Sequence, residues 1–285
     1  SDLRLQQSSA DTKHGYHNVE VLDSKDQPLY FTIVDTMMRI DLPKPLQSGQ
    51  SIDFQVRWAF NIINEEALGG RGGYEYFEKN DTELFFLAQW FPRMAVYSDY
   101  DGWHNKAFLG RGEFTLEFGD YEVYLTVPDN HIVSATGELQ NPKQVLTKTQ
   151  QQRLAQASTD KPRFVVTPEE ARTNEQTKST GNKTWHFKAE NVRDFAWASS
   201  NKFIWDAMIH EQPEAKQKQV LAMSFYPNEA EPIWSHYSTH AVVHTMEVYN
   251  RFSFAYPYPT AQSVNTWERG GMEYPMITFN GYRPE

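Results

Sequence analysis

The sequence predicts a mainly β protein that turns, in its last third, into an α/β arrangement. Three observations carry this. Ile52, Phe54, Val56, Trp58 and Phe60 alternate with polar or small residues, the pattern of a strand with one buried face. Phe114, Leu116 and Phe118, then Val123, Leu125 and Val127, repeat that alternation on either side of Gly119-Asp120. After Lys202 the pattern changes to strand, helix, strand, strand. The expected organisation is therefore a β-domain over residues 1–202, interrupted by a polar, helical insertion at about 141–183, and an α/β part over 203–285.

Composition bounds what such a chain does. At 285 residues it has room for two compact units or one large all-β domain. Aromatic residues make up 14%, enough to build a packed core despite a hydrophilic average. A net charge of −10 argues against a nucleic-acid partner, which needs a basic face to displace counterions. No apolar run of about 18 residues is present to span a membrane as a helix. The absence of cysteine excludes disulfides and thiolate metal sites, and leaves the compartment open.

The first 60 residues read as strands and turns. Tyr30-Phe31-Thr32-Ile33-Val34 is rich in β-formers, and Met38-Arg39-Ile40-Asp41-Leu42 alternates until Pro43 stops it. The strand through Ile52 and Phe60 is expected to pair with the run at 38–42 as a hairpin. The chain opens in mid-pattern, so further strands of this sheet are expected ahead of it. Gly69-Gly70-Arg71-Gly72-Gly73 has the glycines of a phosphate cradle but neither the Lys nor the Ser/Thr, and reads as a mobile loop near a cleft mouth. Leu84-Phe85-Phe86-Leu87-Ala88-Gln89-Trp90-Phe91 is an apolar strand ended by Pro92.

Asp99-Tyr100-Asp101-Gly102 offers two acids and a glycine, but the twelfth position of a calcium loop counted from Asp99 is Gly110, which has no oxygen ligand to give. It reads as a turn. The two alternating runs around Gly119-Asp120 are expected to form a hairpin. Asn141 and Pro142 open a polar helix over 142–157, and Thr167-Pro168-Glu169-Glu170 opens a second, shorter one. Residues 174–183 read as an exposed loop, and no chemistry is assigned to the insertion. Strand signals return at Trp185-His186-Phe187 and Phe195-Ala196-Trp197. Val220 to Tyr226 is then a strand closed by Pro227, Glu231-Pro232 opens a helix over about 233–251, and Ser263 to Trp267 and Met276 to Phe279 are strand-like.

Two histidine groups invite a metal. His210-Glu211-Gln212-Pro213-Glu214 begins like a zincin motif but lacks the second His and has a proline where the helix must continue. His236, His240 and His244 fall on one helix face at spacings of four, yet no suitably spaced acid joins them, so no metal is assigned in this chain.

The stretch with most chemical promise is Gly270-Gly271-Met272-Glu273-Tyr274-Pro275-Met276-Ile277. Glycines let a backbone approach a ligand closely. An acid set among Met272, Tyr274 and Pro275, if only partly solvated, needs a cation partner, and a substrate ammonium is one. The alternative is a turn before a strand with a solvent-facing Glu.

This stretch resembles the substrate-binding signature of the M1 zinc aminopeptidases, written G-x-M-E-N, in a bacterial branch. Glu273 matches the motif acid; Tyr274 stands where Asn is usual. The run from Trp90 through Gly137-Glu138-Leu139 is similar to the same branch. The resemblance implies a saddle-like amino-terminal β-domain followed by the first part of a thermolysin-like catalytic domain. It implies that Glu273 binds the free α-amino group of a peptide substrate, that Gly270 and Gly271 contact its main chain, and that Met272 belongs to the same substrate-binding stretch. Gln89 fits the family's cleft-lining Gln, or else is a strand-end residue capping backbone groups. Phe91 stands where an acidic or amide helper is usual, which implies either that Glu273 binds the amine without that helper or that the pocket is more apolar.

The family's zinc motif follows its glycine signature by roughly thirty residues, so the chain is expected to be an internal fragment. Zinc belongs to the intact parent and no cofactor to the fragment. An extracytoplasmic, periplasmic location is implied by the family alone. The second functional reading is a non-catalytic β-rich module binding peptide or protein.

Overall fold

The computed structural model describes residues 15–68, 72–108, 115–268 and 270–284. Gly69, Gly70, Arg71, Gly110, Phe114 and Arg269 lie outside the described residues, and most of the expected glycine loop with them. Two compact units are present, Ser1–Ile63 with Phe91–Glu117, and Asn64–Trp90 with Phe118–Glu285.

The first unit begins with β1 (His17–Asp23), β2 (Tyr30–Val34), β3 (Met37–Asp41) and β4 (Phe54–Ala59). The hairpin expected between the runs at 38–42 and 52–60 does not form. β3 pairs with β2, and β4 pairs with β1. The reason is local: Asp35-Thr36 is a two-residue link, with Asp35 at φ 52°, that folds β2 directly onto β3. The chain then contributes α1 (Glu65–Leu68), β5 (Gly72–Phe77) and β6 (Thr82–Leu87) to the second unit. It returns for a small hairpin, β7 (Tyr97–Ser98) and β8 (Gly102–Trp103), with Asp99, Tyr100 and Asp101 in its turn.

The second unit continues with β9 (Gly119–Pro128), β10 (Ile132–Ala135), β11 (Glu138–Leu139), α2 (Pro142–Val145), α3 (Lys148–Ala155), β12 (Arg163–Val166) and α4 (Pro168–Asn174). It ends with β13 (Asn182–Val192), β14 (Trp197–Ser200), β15 (Ile204–Glu211), β16 (Gln219–Tyr226), α5 (Ile233–Phe252), β17 (Thr260–Asn265), β18 (Gly271–Tyr274) and β19 (Ile277–Asn280). Its sheets run β10-β14-β6-β5, β11-β13-β9 and β12-β15-β16-β17-β19-β18.

Three expectations are corrected here. Leu116 and Phe118 are not in a strand, and β9 pairs with β13 instead of folding back on them. Gly119-Asp120 is the start of β9, where the Asp120 carboxylate accepts the Asn191 N–H at 2.8 Å. The helix expected over 142–157 is two helices, because Thr147 starts a new one: its hydroxyl accepts the Gln150 N–H and the Gln150 side chain accepts the Thr147 N–H. The polar segment is not a mere insertion, since β12 within it pairs with β15 in the six-stranded sheet.

The six-stranded sheet and α5 make the α/β part. β16 and β17 are parallel neighbours joined through α5, and β17 and β19 are also parallel. The inward face of α5 (Trp234, Thr239, Val243, Met246) is buried; Val243 and Met246 pack with Met208 of β15, Val220 and Ala222 of β16 and Ala261 of β17. The outward face carries the exposed His236, His240 and His244. The helix is thus an amphipathic layer over one face of a mostly buried sheet.

Candidate functional site

The glycine-glutamate stretch folds into the β18–β19 hairpin at the edge of the six-stranded sheet. Its turn is Pro275-Met276. Proline holds φ near −65° and Met276 sits at φ 63°, the pairing of a type II turn. Glycine or asparagine is the usual choice at the second position; a side chain there costs about 1 kcal/mol. Met276 offsets this by burying its side chain beside Ala189 and Val192 (4% exposed), worth roughly 1.5–3 kcal/mol. Burial wins.

Alternation along β18 then decides where the acid points. Tyr274 is buried and Met272 half-buried, while Gly271 and Glu273 are exposed. The apolar neighbours that made Glu273 look partly enclosed lie on the opposite face. Its carboxylate is solvated, so its charge needs no partner for folding. The two glycines differ in what they do. Gly270 adopts φ 98°, a left-handed conformation that favours glycine, with open space around it. At Gly271 a Cβ would stand 3.0 Å from Asn280 Oδ1 and 3.3 Å from the Phe279 carbonyl, so the pairing of the two strands there depends on its absence.

The hairpin is anchored from behind by groups the sequence did not single out. The Thr136 hydroxyl donates to the Pro275 carbonyl at 2.9 Å and accepts the Ala196 N–H at 3.1 Å. Gln262 accepts from the Ser134 hydroxyl at 2.8 Å and donates to the Ala135 carbonyl at 2.7 Å. Phe279, fully buried, meets Phe86 edge-on at 5.7 Å. Beyond β19, Arg283 binds both oxygens of the buried Glu75 on β5. On β18, the outer edge has no partner strand among the described residues.

The other expected site residues are distributed. Gly270, Gly271, Met272 and Glu273 share the hairpin and its entry. Gln89 follows β6 in the second unit at φ 54°, half-buried. Phe91, also half-buried, belongs to the first unit.

Beneath α5 lies a buried acid that no motif announced. Asp206 on β15 accepts from Tyr226 at 2.6 Å and Thr239 at 2.5 Å, and Thr239 meets Ser224 at 2.6 Å. Burial pushes the Asp206 carboxyl up to about 7, against the pull of its two hydroxyl donors. His131, paired with Ser199 at 2.8 Å, is driven by burial down to about 4 and stays neutral. Among the described residues, no three His, Asp or Glu side chains converge to hold a metal ion. His244 lies 3.5 Å from Glu247, but both are exposed.

No protein-family model and no curated protein matches the chain. Solved structures do. The chain is similar to a two-domain M1 zinc metallopeptidase bound to L-tryptophan, with TM-score 0.51 and 13% identity over 93% of this chain and 50% of that one. It is similar to the M1 zinc metallopeptidase of Deinococcus radiodurans, with TM-score 0.50 and 13% identity over 93% and 49%. A form of the Deinococcus radiodurans protein bound to a Tyr-Ser-Ala substrate gives TM-score 0.50 and 12% identity over the same shares, 93% and 49%. The chain spans about half the length of the solved structures it matches. At this identity the likeness shows the fold: a saddle-like β-domain and the opening part of an M1-type catalytic domain.

Proposed function

We propose that this chain is part of a zinc metallo-aminopeptidase, which removes N-terminal residues from peptides, and that it supplies the wall receiving the peptide's free amino end. The observation that carries the reading is an exposed carboxylate, Glu273, on an open-edged strand beside two glycines. An extended peptide can add to such an edge through main-chain hydrogen bonds. Its ammonium then meets Glu273 in a charge-assisted pair, stronger than a neutral hydrogen bond. Gly270 and Gly271 would contact the peptide main chain, with Met272 beside Gly271 on the same strand.

The described residues do not fit a zinc ion. In this reading the metal and its general base are held by residues outside this chain, and no step through them is assigned to residues here. The likeness in fold to M1 metallopeptidases supports a peptidase origin and leaves the substrate to experiment.

The test uses the complete protein that contains this chain. Glu273→Gln is expected to lower kcat/KM for free-amine peptides by about a hundredfold or more, with the melting temperature unchanged because the side chain is solvated. A near-normal kcat/KM would reject the assignment. Reading the gene for H-E-x-x-H about thirty residues past the glycine signature separates the alternatives. If the motif is missing, binding of peptide N-termini without catalysis is the function to measure.

A further inference from the structure

We propose that His240 and His244, on the outward face of α5, bind one first-row divalent metal ion, copper(II) most tightly, with Glu247 orienting His244. Sequence spacing assigns these histidines no metal, for want of an acid as third ligand. The structure brings an acid to them in a different role. His244 Nδ1 lies 3.5 Å from Glu247 Oε2, three residues further along the same face. A carboxylate beside one ring nitrogen favours the proton there and leaves the other nitrogen as the donor. Metal-ligating imidazoles are commonly held in this way, and the carboxylate raises their basicity as ligands.

The helix fixes the spacing. Residues four apart stand one above the other, with Cβ atoms about 5–6 Å apart, so two imidazoles there reach one ion. His236 and His244 are separated by about 12 Å along the axis, too far to share an ion. A single ion therefore takes His240 with one neighbour. Of the two outer histidines, only His244 has a carboxylate at hand among the described residues. The His236 ring instead meets Tyr237 edge-on at 5.9 Å.

The frame beneath is packed. Thr239 and Val243, each one position before a ligand, are buried, and Val243 and Met246 hold the helix on β15, β16 and β17. His240 and His244 themselves are exposed, so an ion orders two side chains and need not move the backbone. No Lys or Arg stands on α5 before Arg251, in its last turn, and a net charge of −10 favours a cation. Imidazole suits copper, nickel and zinc, and affinity along that row peaks at copper(II). Two imidazoles fall short of the three or four protein ligands of a zinc centre, and no third donor joins them among the described residues. Water completes the coordination sphere. The site is separate from the catalytic metal of the peptidase reading, and neither proposal depends on the other.

Copper(II) titrated into the full chain is expected to bind one equivalent at this pair, read by calorimetry. The melting temperature is expected to rise with copper concentration, because the ion binds the folded helix. The copper electron paramagnetic resonance spectrum is expected to show splitting from two imidazole nitrogens. His240→Ala and His244→Ala are each expected to weaken binding about tenfold or more, and His236→Ala less than about twofold. Glu247→Gln is expected to weaken it about tenfold. All four side chains are exposed, and alanine and glutamine are good helix formers, so these variants keep the fold. Copper affinity unchanged in the double variant His240→Ala/His244→Ala overturns the proposal. So does a loss in His236→Ala equal to that in His244→Ala, and so does parental affinity in Glu247→Gln.

Discussion

The Arg283 guanidinium grips the Glu75 carboxylate with both terminal nitrogens, Nη1 to Oε1 at 2.5 Å and Nη2 to Oε2 at 2.7 Å, across 208 positions of sequence. Both side chains are largely buried, 17% and 6% exposed, and the Arg283 Nε also donates to Asn265. The segment after the β18–β19 hairpin is thereby fastened to β5. Arg283→Ala leaves a buried carboxylate without its cation and is expected to cost about 3–5 kcal/mol. Urea unfolding at neutral pH checks it. A loss below about 1 kcal/mol would place the pair among surface ion pairs in effect.

Asp206 links stability to pH. Its folded carboxyl titrates near 7 and its unfolded one near the ordinary value of 3.8. Between those values the folded state holds a proton the unfolded state releases. Its contribution is full below about pH 4, falls as pH rises and is gone above about pH 7. Unfolding free energy is expected to drop over that window by the order of a few kcal/mol from this group. Asp206→Asn removes the dependence while keeping an acceptor for Tyr226. Denaturation at pH 5 and pH 8 should show the variant more stable than the parent only at the higher pH.

Thr136 tests the anchoring of the Glu273 hairpin. Thr136→Val strips a donor from the Pro275 carbonyl and an acceptor from the Ala196 N–H in a site with no solvent access. The expected loss is about 1–3 kcal/mol. Faster amide exchange confined to β18 and β19 would mark the turn as the part released. Uniform acceleration across the sheet would not.

The sequence was most readable where one chemical signal governs one element. Pro227 and Pro232 bracket the entry to α5, and Thr167-Pro168-Glu169-Glu170 is a proline-started helix with a capping box between Thr167 and Glu170. Strand partners were not readable, because pairing is decided at long range: β9 finds β13 beyond three strands and three helices. β15 escaped notice altogether. It is buried on both faces and so has no alternation to show, and it places an aspartate in the core. Of the candidate site, the sequence left Glu273 between a partly enclosed acid and a solvent-facing one, and only the alternation along β18 decides for the second. Its supports were not legible, since Thr136 and Arg283 are ordinary residues until the fold sets them beside Pro275 and Glu75.

The polar segment that looked like an insertion has a structural obligation. Lys202 is wholly buried; its ammonium lies 2.5 Å from Glu175, 3.1 Å from Glu229 and 4.5 Å above the Phe77 ring. Glu175 comes from the end of α4, inside that segment. Trimming it to a minimal loop would strip β15 of its neighbour β12 and leave Lys202 facing a single half-exposed acid. Every natural or engineered version with a shorter segment that still folds should therefore carry another anion for Lys202 or no lysine there at all.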